Sequence, residues 1–184
     1  MAEVVSRTIE NDEILVRLIF EGDFKKNNVH QDNIIEKSVF VDTRNNEVSL
    51  QRERYSDESN CKRIGKLHPH RFVGFVVFKK KSFDDKVIEH VKLRNDFKAD
   101  VFATPLDEHN KVISDSIEVT TETPILPAHA DLVYINPAAF PTDDSPHTSV
   151  RLFSKNLLKE SVLILDPDLD SDDFEEIKFQ EALA

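Results

Sequence analysis

Four residues of the types that hold anions or move protons stand in apolar or strand-like surroundings. Arg17 lies inside the run Glu13 to Phe20, Ser49 and Arg52 lie in and just after the run Glu47 to Gln51, and His129 follows Pro124 and Pro127. A guanidinium in an apolar segment needs a carboxylate, backbone carbonyls or a bound anion. An imidazole titrates near neutrality and serves as general acid or base. Taken together, Arg17, Arg52 and His129 predict an Arg/Arg/His anion site suited to phosphate or a nucleotide, with Ser49 orienting the substrate or a water. The plainer reading puts Arg17 on an exposed edge or in a structural ion pair.

Two further patterns invite chemistry and fall short of it. In His68-Pro69-His70 the two imidazoles share a face of an extended chain. A metal there would need a third or fourth ligand, such as His129, His147 or an Asp, and no ligand spacing supports one. A two-histidine phosphoesterase would need a hydroxyl residue two places after each His. His70-Arg71-Phe72 and His129-Ala130-Asp131 lack it. The run Asp166-Pro167-Asp168-Leu169-Asp170-Ser171-Asp172 imitates the start of a calcium loop. Its sixth and twelfth positions are Ser171 and Ile177, where that loop requires Gly and Glu. The sequence therefore predicts neither a metal nor a cofactor.

Charge is sorted into blocks. Residues 44–81 carry ten Lys/Arg against four Asp/Glu, whereas Asp166 to Ala184 carries eight acids against Lys178, in a chain of net charge −11. A cationic middle with an anionic end suits either a surface with an internal competitor or an end made for a basic partner. Phe174, Ile177 and Phe179 lie among the terminal acids. That mix predicts a peptide that folds onto a partner, with Asp168 and Asp170 supplying charge.

The 184 residues predict one domain, 1–165, followed by an acidic tail, 166–184. Cys61 is the only cysteine, which excludes an intramolecular disulfide. Residues 1–7 lack the charged-then-apolar pattern of a signal peptide, and no apolar run is long enough to span a bilayer. These features predict a cytoplasmic protein with no membrane partner.

The elements that must position these residues follow from periodicity. Glu13 to Phe20 fits a buried strand or one side of a short helix. Ser38 to Asp42 and Glu47 to Gln51, around Thr43-Arg44-Asn45-Asn46, read as a hairpin. A helix starts at Ser56-Asp57-Glu58 and ends at Gly65. Phe72 to Phe78 reads as a central strand and Asp96 to Thr104 as another, with Val112 to Thr121 and Ala130 to Ile135 as further candidates. Asp84 to Leu93 is ambiguous. Asn136 to Pro146 reads as a surface loop. Val150, Phe153, Leu157 and Leu158 share one helical face within Thr148 to Leu165. The sum is α+β: a mostly antiparallel sheet with a C-terminal helix packed on one face, and an acidic tail.

The order Leu15-Val16-Arg17-Leu18, Ser49-Leu50-Gln51-Arg52 and Ala128-His129-Ala130-Asp131-Leu132, then a C-terminal helix, resembles a group of small uncharacterised bacterial proteins. In that group an Arg lies in the first apolar segment, Ser-x-x-Arg closes a strand, and a His-Ala-x-Ile/Leu step follows a proline-containing loop. The likeness covers Glu13 to Glu160. It implies that Arg17, Ser49, Arg52 and His129 belong to one site, and it implies no reaction.

Three functional readings follow. The first is a non-enzymatic cytoplasmic interaction or accessory protein, such as a subunit or neutraliser in a bacterial defence or toxin-type system. It would dock a protein partner through Asp168, Asp170, Phe174, Ile177 and Phe179. The second is an enzyme acting on a phosphate-containing substrate, RNA or a nucleotide, at the Arg/Arg/His site. The third is a nucleic-acid binder whose cationic segment 44–81 is gated by the acidic tail.

Overall fold

The structure, a computed structural model, describes residues 1–42, 46–122, 126–135 and 148–184. Six strands form one sheet: β1 (Ile14–Phe20), β2 (Glu47–Arg52), β3 (Phe72–Lys79), β4 (Ala99–Ala103), β5 (His129–Tyr134) and β6 (Val162–Leu165). Their spatial order is β4-β5-β2-β1-β3-β6, and every neighbouring pair is antiparallel. The helices are α1 (Glu36–Val39), α2 (Glu58–Lys66), α3 (Lys80–Leu93), α4 (Thr148–Lys159) and α5 (Phe179–Ala182). The chain is thus α+β around an antiparallel sheet. Among the described residues no helix is long and apolar enough to cross a membrane.

Strand sequence explains the layers. β1 is apolar everywhere except Arg17, and β3 is apolar throughout until Lys79, so both strands can be covered on two faces. On one face Leu15, Ile19, Val48, Leu50, Ala130 and Leu132 meet Val39 of α1, Phe83 of α3, and Val150, Phe153 and Leu157 of α4. On the other, Ile14, Val16, Leu18, Phe75 and Val77 meet Cys61 of α2 and Phe174 and Phe179 of the C-terminal segment. Glycine allows close approach at two points. A Cβ on Gly65 would lie 2.4 Å from the Phe72 ring, and one on Gly74 would lie 2.2 Å from the carbonyl oxygen of Ile164 in β6.

Several expectations are corrected. The run Ser38 to Asp42 is not a hairpin arm: it contains the end of α1, and β2 pairs with β5 and β1. Thr43 to Asn45, the expected turn, lie outside the described residues, as do Asn136 to Pro146 and His147. The helix from Thr148 stops at Lys159. Val162 to Leu165 is a strand because its unbroken apolar run pairs with Gly74 to Val77. Val112 to Thr121 makes only isolated bridges, Leu106 with Val112 and Val4 with Thr120. The ambiguous stretch after β3 is α3, stapled on its surface by Lys81 with Asp85 at 2.7 Å, four residues on.

The C-terminal segment is part of this architecture. Asp57 caps α2 by accepting from the amide of Asn60 at 2.8 Å. That helix carries Lys62, which is wholly buried with its Nζ 2.8 Å from Asp166. The same ammonium donates to the carbonyls of Asp168 at 2.6 Å and Asp173 at 3.0 Å. One turn on, Lys66 donates to the carbonyl of Ser171 at 3.0 Å and pairs with Asp172. The calcium-like run therefore wraps lysine ammonium groups. Phe174 and Phe179 are buried against Phe75, with ring centroids 5.2 and 5.0 Å away. Where an exposed docking peptide is expected, these two rings lie in the chain's own core. Ile177 is half-buried, and Asp168 and Asp170 are exposed.

Candidate functional site

β1 and β2 are in register only at Leu15 with Arg52 and Val16 with Gln51. Beyond that point a cleft of about 900 Å³ opens, lined by Arg17, Ser49 and His129 among others. Strand alternation explains the polar wall. Val48 and Leu50 point into the helical layer, so Ser49 and Gln51 take the opposite face. Ser49 stands opposite Asp131, and Gln51 opposite His129, on β5. The sequence carries this signal as polar residues at every second position in 47–51 and again at 129 and 131.

Arg17 spans the opening. Its Nε donates to the carbonyl of Val39 at 3.1 Å and its Nη1 to the carbonyl of Ser49 at 3.0 Å. Among the described residues no carboxylate forms an ion pair with it. Burial lowers its pKa from the ordinary arginine value, while the negative charges of Asp23 and Asp42 act the other way. A guanidinium remains charged under such shifts. Asp23 in turn is raised, because burial disfavours its charge more than the Phe20 amide, Arg17 and His70 favour it.

His129 is almost fully buried, and its orientation is determined. Nδ1 lies 2.9 Å from the carbonyl oxygen of Thr104. That oxygen can only accept, so Nδ1 carries the proton, and in the neutral ring Nε2 holds the lone pair. The Thr104 hydroxyl donates to Asp131 at 2.7 Å. Asp131 also lies 3.8 Å from His129 Nε2. Thr104 thus connects His129 and Asp131, which both line the cleft, and neither Thr104 nor Asp131 is among the site residues expected from sequence. Beside His129, the carboxamide oxygen of Gln51 is buried and has no hydrogen-bond partner among the described residues.

Arg52 is not in this cleft. It is wholly buried, and its Nε pairs with Glu13, whose other oxygen accepts from Nη2 at 3.0 Å. Two further donors reach the carbonyls of Ser6 and Thr8. The expected Arg/Arg/His site is therefore corrected to one arginine: Arg17, Ser49 and His129 share a cleft, and Arg52 is a structural ion pair. Register is the cause, since Arg52 stands opposite Leu15 in the paired part of β1 and β2, away from their splayed ends.

His68 and His70 line the same cleft as exposed rings on the turn after α2. His68 stacks on Phe20 at 4.4 Å and on His70 at 5.1 Å, and its Nδ1 accepts from the His70 amide at 3.1 Å. No cluster of three or more His, Cys, Asp or Glu suited to a metal occurs among the described residues. Cys61 is buried, and burial pushes its thiol up to about 12, which leaves it unreactive. Of the cationic middle, Lys62, Arg63 and Lys66 are engaged by the C-terminal segment.

Compared with known proteins, the chain matches no family model, no curated protein and no solved structure.

Proposed function

We propose that this protein binds a small phosphate-bearing ligand, a nucleotide being the best fit, in the cleft between β1 and β2. Arg17 anchors the phosphate and His129 handles a proton at Nε2. The observation that carries this reading is Arg17: a partly desolvated guanidinium bonded to two carbonyls and to no carboxylate among the described residues. Carbonyls satisfy donors without neutralising charge, and a phosphate oxyanion does both. Gln51 adds support. A buried oxygen without a donor costs about 1–3 kcal/mol, and a ligand hydroxyl or amine would satisfy it.

In this reading Ser49 offers its exposed hydroxyl to the ligand, and Asp131 lies beside His129 Nε2 at 3.8 Å. The docking of a protein partner by residues 166–184 has weaker support, because it would require Phe174 and Phe179 to leave the core.

Titration calorimetry with pyrophosphate and with AMP tests the proposal. Wild-type protein is expected to bind both. Arg17→Met is expected to weaken each by about 10–150-fold, the loss of one charged hydrogen-bonded contact. Arg17→Lys is expected to retain part of the affinity. Circular dichroism checks that each variant is folded. Absence of binding by the wild-type protein at millimolar ligand would refute the reading.

A further inference from the structure

A second groove, of about 730 Å³, adjoins the cleft and shares Lys37 and Arg151 with it. α4 supplies one wall. Arg151, Lys155 and Lys159 recur every four residues, so they share a face and climb it in steps of about 6 Å. Lys25 and Lys37 also line the groove, from the stretch before and within α1. Among the described residues that line the groove, two carboxylates, Asp32 and Glu36, stand with these cations, and Glu36 pairs with Lys155 at 3.4 Å. In a chain of net charge −11, the described residues of this groove are cationic in balance, and the groove is connected to the cleft.

The cleft also carries rings. His68 and His70 come from the α2 side of the sheet, whereas Lys37 and Arg151 come from the α4 side. The cleft joins the two at the splayed ends of β1 and β2. The stack of Phe20, His68 and His70 is held by the hydrogen bond to His68 Nδ1 and by packing on Phe72, 6.5 Å from Phe20. Stacked rings beside a cationic track are the two components by which proteins hold single-stranded nucleic acid.

We propose that the ligand of the cleft is a short segment of single-stranded nucleic acid. A base stacks on the His68/His70 rings, a phosphate meets Arg17, and the backbone continues past Lys37 and Arg151 along Lys155 and Lys159. This rests on the reading of the cleft as a phosphate site and extends it from a mononucleotide to a strand.

Fluorescence anisotropy with a labelled eight-nucleotide single-stranded RNA tests it on the full chain. Competitors are AMP and inorganic polyphosphate of similar charge. The octamer is expected to bind at least ten-fold more tightly than AMP. The variant Lys155→Ala/Lys159→Ala should lose that advantage and keep the affinity for AMP. Its log–log salt slope should be shallower by about 1.4, two phosphate contacts at about 0.7 each. His68→Ala should weaken RNA about 5–150-fold, the range of one base stack, without changing polyphosphate binding. Equal affinity for AMP and the octamer would overturn the extended strand and leave the phosphate cleft intact. Equal binding of RNA and polyphosphate, with neither affected by His68→Ala, would overturn the assignment to nucleic acid. No binding of octamer, AMP or pyrophosphate would overturn both proposals.

Discussion

Arg17 and Arg52 both stand in strand-like sequence, and their surroundings give them different work. Arg52 is matched by Glu13, itself only 7% exposed, and by two carbonyls, so four of its five N–H donors serve the fold. Removing one partner of such a pair leaves the other charged and desolvated. Arg52→Ala is therefore expected to destabilise the protein by about 3–5 kcal/mol, read from the urea midpoint. A midpoint within error of wild type would show that Glu13 finds another partner. Among the described residues Arg17 forms no such ion pair, which makes it the residue to test for ligand affinity. Sequence marked Arg17 as needing a partner and set Arg52 beside it, but it could not say that Arg52 would meet a carboxylate and Arg17 two carbonyls.

At the scale of elements, the C-terminal segment is the piece whose role most departs from its composition. Its eight acids suggest a solvated end, yet the spacing of Phe174 and Phe179 lets both rings reach Phe75 while the backbone is tied to Lys62 and Lys66. Glu58 of α2 completes the attachment by accepting from the Phe179 amide at 2.8 Å and from Lys178 at 3.0 Å. Phe179→Ala is expected to cost about 3–5 kcal/mol, the usual range for a phenylalanine removed from a core. A chain ending at Leu165 should lose more, seen as a large fall in Tm by calorimetry. If the truncated chain melted with the full one, the segment would have no structural role. The expectation that truncation simply unmasks a cationic surface is thus replaced by one in which it uncovers Phe75 and its neighbours.

For the whole molecule, His90 is one of the groups that couple stability to pH. This residue is 3% exposed, with Nε2 2.6 Å from the Ser149 hydroxyl and its ring against Phe97. Burial, aided by the positive charge of Arg94, holds its pKa below the ordinary histidine value. The unfolded chain therefore takes up this proton more readily than the folded one. Stability falls as pH drops through the unfolded value of about 6.5, and the loss is complete once pH is below the folded value. Asp23 and Glu53, both raised by burial, act in the opposite sense, since the folded state binds their protons more tightly. Comparison with His90→Gln isolates the histidine. The wild-type Tm should drop more than that of the variant between pH 8 and pH 5.5, and parallel curves would assign the acid sensitivity to other groups.

Sequence by itself determined the local pieces whose cause is local. Asp57 starts a helix, Phe72 to Phe78 make a buried strand, and alternating polarity puts Ser49 and Gln51 on one face and Val48 and Leu50 on the other. It also marked Arg17 as a residue in need of partners and His129 as a candidate acid or base. Tertiary structure decided everything that depends on which strands become neighbours. It set β5 beside β2, so that Asp131 and His129 face Ser49 and Gln51, and it separated β1 from β2 beyond Val16, which opens the cleft beneath Arg17. It turned Arg52 toward Glu13 and brought Lys62 to the carbonyls of residues more than a hundred positions away. Those pairings are fixed by chain-wide packing of two apolar sheet faces, a quantity that no window of neighbouring residues contains.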